Sequence, residues 1–96
     1  MGIYYAAVDN NEKTYFEPPK GFSNKSPGIF HPRNPFGCMV IMMNSFGSNF
    51  EIENDAGYDC YYDKDYKDVT DKVYEELLRV YPWAKEFYEK DTSHDS

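Results

Sequence analysis

Hydrophobic and polar positions follow extended patterns through the first half of the chain and a helical one near its end. Ile3 to Val8 is rich in Tyr, Ala and Val, and Asp9-Asn10-Asn11 supplies turn residues before Thr14-Tyr15-Phe16, which predicts a β-hairpin. Cys38-Met39-Val40-Ile41-Met42-Met43 is a continuous apolar run bounded by Gly37 and Asn44. It is short for a helix, and the pattern predicts a central strand buried on both faces. Ser45-Phe46-Gly47-Ser48 then offers turn chemistry, and Phe50-Glu51-Ile52-Glu53 alternates, predicting a second hairpin with Phe50 and Ile52 facing inward.

From Asp68 the period becomes helical. Val69, Val73, Leu77 and Val80 form one apolar stripe, with Asp68 or Thr70 as the cap. Pro82 breaks or bends that helix, and Trp83 and Phe87, four apart, carry the pattern on.

Two stretches resist periodic reading. Residues 17–35 contain Pro18, Pro19, Gly21, Pro27, Gly28, Pro32 and Pro35, which predicts a long loop tied down by Phe22, Ile29, Phe30 and Phe36. Residues 54–67 mix turn formers, acids and tyrosines, and predict an acidic aromatic connection with a short strand near Tyr58. The fold class expected is α+β: a small antiparallel sheet of about four strands, one or two C-terminal helices packed on one face, and the Pro-rich loop. Residues 1–90 are expected to form one domain and 91–96 a disordered polar tail.

Composition narrows the class. Aromatic residues reach 19%, far above what a disordered chain carries. The longest apolar run is well under the roughly 20 residues of a membrane span, and no secretory leader is evident, so a cytoplasmic protein is expected. In that compartment Cys38 and Cys60 are expected to be reduced. Neither cysteine has metal-site spacing, and the acidic cluster fails the calcium-loop template. Counted from Asp63, that loop puts Asp68 where the central Gly belongs and Tyr74 where the closing Glu belongs. No phosphate-binding glycine loop occurs, so neither metal nor cofactor is expected. Cys38 with His31 is the one nucleophile–base pair, but a cysteine opening a buried strand would have a raised, unreactive thiol. An enzyme is not expected.

Charge gives the functional reading. The net charge is −7, with residues 1–50 holding three acids against four bases and residues 51–96 fourteen against six. On the terminal helices Asp68 with Lys72, Glu75 with Arg79 and Glu86 with Lys90 have the spacing for mutual neutralisation. Glu51, Glu53, Asp55, Asp59, Asp63 and Asp65 are offset in sequence by Lys64 alone. On a strand, Glu51, Glu53 and Asp55 would project from one face at about 6.7 Å intervals, beside Tyr58, Tyr61 and Tyr62. That arrangement fits a basic partner, and basic grooves commonly hold nucleic acid. The expected function is a small acidic inhibitor that occludes such a surface on a protein, in the manner of phage anti-restriction or anti-CRISPR proteins, without contacting nucleic acid or membrane itself. One alternative is an immunity or antitoxin protein neutralising a basic toxin. Another is a small anionic-ligand module using Lys20, Lys25, His31 and Arg33 of the Pro-rich loop.

Overall fold

The computed structural model describes residues 3–56 and 65–93. Strands β1, Tyr5–Asp9, and β2, Thr14–Phe16, pair antiparallel with Ala7 opposite Phe16 and Asp9 opposite Thr14. Asp9 builds the turn between them. Its buried carboxylate accepts the backbone N–H groups of Asn11 at 2.9 Å and Glu12 at 3.1 Å, and its second oxygen accepts that of Asn49 at 3.4 Å. A buried acid is tolerated where donors surround it, and these three are otherwise orphaned turn amides.

Residues 17–35 hold one short helical turn, the 3-10 segment Gly28–Phe30, and an isolated bridge from Tyr4 to Lys25. Buried Asn34 ties the segment together by donating to the carbonyls of Ser23 at 2.8 Å and Gly28 at 3.3 Å. Gly28 is needed there, because a Cβ would come within 2.6 Å of Ser23 Oγ. Ile29 is fully buried and Phe22 packs on the core edge-on to Tyr88, whereas Phe30 stays largely exposed.

The run expected to be the central strand is a helix. Helix α1 spans Phe36–Ser45. The apolar run looked too short because residues on both sides of it belong to the same element: Phe36, Gly37, Asn44 and Ser45 extend it to ten residues. Both ends carry helix signals. Asn34 Oδ1 accepts the N–H of Phe36 at 3.0 Å, with Pro35 at the N-cap position. At the other end Gly47 adopts φ +104°, its N–H reaches the Asn44 carbonyl at 3.2 Å, and that of Ser48 reaches Met43 at 3.1 Å. This paired closure needs a left-handed residue, so the expected turn is the end of a helix. Phe36, Met39 and Met42 are its buried face.

Strand β3, Glu51–Asn54, therefore follows a helix instead of forming a second hairpin, and it pairs antiparallel with β1. Asn44 locks the transition, its side chain accepting from Phe50 N at 2.8 Å and donating to Phe50 O at 3.1 Å. A further strand, β4, Lys67–Asp68, pairs parallel with β2 and completes a four-stranded sheet of order β3-β1-β2-β4. The sheet is thus mixed where an antiparallel one is expected. No tight turn fixes the direction of β4, since the chain reaches it from β3 on the opposite edge. The strand expected near Tyr58 lies outside the described residues.

Helix α2, Thr70–Val80, follows with Val73 and Leu77 buried. Asp68 accepts the Thr70 N–H at 2.9 Å, and Thr70 Oγ1 in turn accepts that of Glu17 at 2.9 Å, so one short segment holds both the helix start and the end of β2. Helix α3, Ala84–Ser93, begins beyond Pro82, and residues 94–96 of the expected tail lie outside the described residues. Among its residues of described burial Ala84 and Tyr88 are buried, while Trp83, just before it, and Phe87 lie outward, edge to face at 6.1 Å. One apolar cluster joins Ala7, Phe16 and Phe50 of the sheet side to Ile29, Met39, Met42, Leu77 and Tyr88. Ala6, Val8 and Tyr15 form a smaller cluster on the other face with Tyr66.

Candidate functional site

Register decides where the predicted acids lie. β3 pairs Glu51 with Val8 and Glu53 with Ala6, so both glutamates stand on the face that holds Ala6, Val8 and Tyr15. Ile52 pairs with Ala7 on the helix-bearing face, yet is 45% exposed. It was expected inward like Phe50. β3 is an edge strand, and Ile52 lies at the margin of the core cluster that covers Ala7.

Glu51 is exposed and Glu53 half-buried. Glu53 is oriented by neutral groups: Tyr66 donates its hydroxyl to Asn10 Oδ1 at 2.8 Å, and Asn10 Nδ2 donates to Glu53 Oε2 at 3.1 Å. The amide fixes the carboxylate without cancelling its charge. Among the described residues neither glutamate takes part in an ion pair. Asp55 lies just past β3, and its carboxylate turns back to accept the N–H of Tyr4 at 3.1 Å. It helps end the strand and extends the charged row less than alternation implies. Asp65 is exposed, with φ +58°. Tyr58, Asp59, Tyr61, Tyr62 and Asp63 lie outside the described residues.

On the helices the neutralising pattern differs from the one expected. Arg79 takes Glu76, three residues back, with Nε donating to Oε2 at 3.0 Å and NH2 closing a second bond, instead of Glu75. That hydrogen bond holds the Glu76 carboxyl below its ordinary range. Asp68 is occupied by Thr70 at the helix start.

Three of the four predicted loop residues, Lys25, His31 and Arg33, make contacts within the fold. Arg33 lies over the Phe87 ring at 4.3 Å and donates NH1 to the Phe87 carbonyl at 2.9 Å, fastening the loop to α3. Lys25 lies over Tyr4 at 5.0 Å, and His31 Nδ1 accepts the Arg33 N–H at 3.1 Å. Lys20 is exposed.

Cys38 is exposed on α1, because the predicted buried strand does not form. Its sulfur accepts the Tyr88 hydroxyl at 3.2 Å. Burial first, and then this bond, push the Tyr88 phenol up from its ordinary range. Cys38 and His31, the expected nucleophile and base, take different partners, the Tyr88 hydroxyl and the Arg33 amide. Among the described residues no group of three or more His, Cys, Asp or Glu is placed to hold a metal ion, and no helix is long and apolar enough to cross a membrane.

A second surface was not anticipated. A groove of about 290 Å3 lies between α1 and the α2–α3 corner, lined by Cys38, Ile41, Met42, Leu77, Trp83 and Ala84 among others. Ile41 is 73% exposed, Trp83 61% and Tyr81 42%. The signal was in the sequence: residues 34–50, seventeen positions, carry no charge, in a chain that is 28% charged. Read as a helix, that run leaves Cys38, Ile41 and Ser45 on a stripe opposite the core.

No family model, curated protein or solved structure matches this chain.

Proposed function

We propose that the chain is a small acidic protein-binding inhibitor whose β3 edge meets a basic surface on its partner and blocks the nucleic acid that surface would hold. The observation that carries this reading is the pair Glu51 and Glu53, side by side on one face of an edge strand, with Glu53 oriented by an uncharged amide. Carboxylates fixed by neutral donors keep their full attraction for Lys and Arg, and they need little reordering when a partner arrives. The anionic-ligand loop is less well supported, because Arg33 is already engaged with Phe87.

The test is capture of a partner from the native host by the tagged chain, compared with Glu51→Lys/Glu53→Lys. A basic partner is expected that is lost from the double variant, is released as ionic strength rises, and cannot hold nucleic acid while the complex stands. A partner retained equally by the charge-reversed chain would remove the β3 edge from the reading.

A further inference from the structure

We propose that the uncharged face of α1 and the α2–α3 corner is a two-fold contact with a second copy of this chain. The groove has its floor at Met42, Leu77 and Ala84, and Ile41 and Trp83 stand at its lip with most of their surface exposed. A two-fold contact uses the same patch on both partners, so the patch must supply hollow and projection together. This one does. Ile41 or Trp83 of one copy enters the groove of the other, and the exchange is reciprocal.

Charge selects the same occupant. Each copy carries −7, so two copies repel over most of their surfaces. The stretch 34–50 contributes no charge and supplies one wall of the groove, which lets like-charged copies approach there. A basic partner of the kind proposed for β3 finds no carboxylate among the groove-lining residues.

Area agrees. Ile41, Tyr81, Trp83 and the neighbouring Phe87 together leave roughly 300–500 Å2 exposed, at the ~150–250 Å2 of a large side chain. That lies within the ~300–600 Å2 that the largest and often functional patch on a monomer usually shows. With Cys38, Ser45 and the flanking turns as rim, it supplies the core of a contact near the ~800 Å2 per partner of a standard interface. Trp and Tyr are the residues that most often dominate such cores.

The test is the mass of the chain in solution, by sedimentation equilibrium from low micromolar to sub-millimolar concentration, for wild type, Ile41→Asp and Trp83→Ala. A reversible dimer is expected for wild type, and a monomer of unchanged circular dichroism for each variant. Trp83 is the sole tryptophan, so its emission in the wild-type chain should shift to the blue as concentration rises. That readout decides the matter without a variant if either substitution unfolds the chain. Added salt should strengthen the dimer by screening the repulsion between copies, the reverse of its effect on the β3 complex, so the two ideas fail separately. A wild-type chain that stays monomeric overturns the proposal and leaves the groove to some other apolar segment. A dimer that persists in both variants, weakens with salt, or forms without the Trp83 shift overturns it equally.

Discussion

The edge strand β3 and the outer face of α1 are consecutive in the chain and opposite in character. β3 carries two glutamates, one of them, Glu53, oriented by a hydrogen bond, while α1 carries no charge and leaves Ile41 in solvent. Both are surfaces, but different physics governs what each meets. An attraction to the strand would be screened by salt; the proposed association through the helix would depend on apolar area and be helped by salt. A small domain can therefore offer two contacts on adjacent segments that respond to ionic strength with opposite sign.

The two regions share one support, and removing it should have the largest effect. The Phe16 ring lies 5.6 Å from Phe36 at the start of α1 and 4.8 Å edge-on from Phe50 just before β3. Phe16→Ala empties a fully buried site between them and is expected to destabilise the chain by about 3–5 kcal/mol, read by urea unfolding. A loss below about 1 kcal/mol would mean that helix and strand are held independently of this ring. Asn44→Ala should separate the regions more selectively. It removes both side-chain bonds to Phe50, at about 1–3 kcal/mol for the pair. Amide exchange is expected to quicken in residues 51–54 while Met39 and Met42 keep their protection. Equal quickening in both segments would show that they open as one unit.

How far these regions could be read in advance follows from where their determinants lie. The first hairpin and α2 were legible, because Asp9-Asn10-Asn11 and the Val69–Val80 stripe are local signals. The α1 run was misread because its apolar stretch is bounded by Gly37 and Asn44, and a short apolar run fits a buried strand as well as a helix. What decides between them is non-local or lies at the ends, in Asn34 on the Phe36 amide and Gly47 with positive φ. The placement of Glu51 and Glu53 on one face was legible from alternation alone. The fixing of Glu53 by Asn10 and Tyr66 was not, since those contacts span 43 and 56 positions along the chain. The parallel β4 was equally hidden, as two residues carry no period.

The smallest effect expected is silent at neutral pH and separates the two surfaces by their phenols. Tyr15, on the sheet face that carries Glu51 and Glu53, is pushed up by burial first and then by the charges of Asp68 and Glu17. Tyr88, under the helical groove, is pushed up by burial and then by its bond to Cys38. Below about pH 10 the unfolded chain also keeps these protons, and both rings contribute their full stability. Above that value the unfolded chain releases protons that the folded chain retains, so stability falls as pH rises toward the raised folded values. Urea midpoints at about pH 9 and about pH 11 should therefore differ less in Tyr15→Phe and in Tyr88→Phe than in wild type. Salt should then tell the rings apart. It screens Asp68 and Glu17, so it should narrow the gap between wild type and Tyr15→Phe while leaving that for Tyr88→Phe, where removal from water dominates. An equal response to salt in both variants would show that charge contributes as much at Tyr88 as at Tyr15, and the contrast between the two faces would not extend to their phenols.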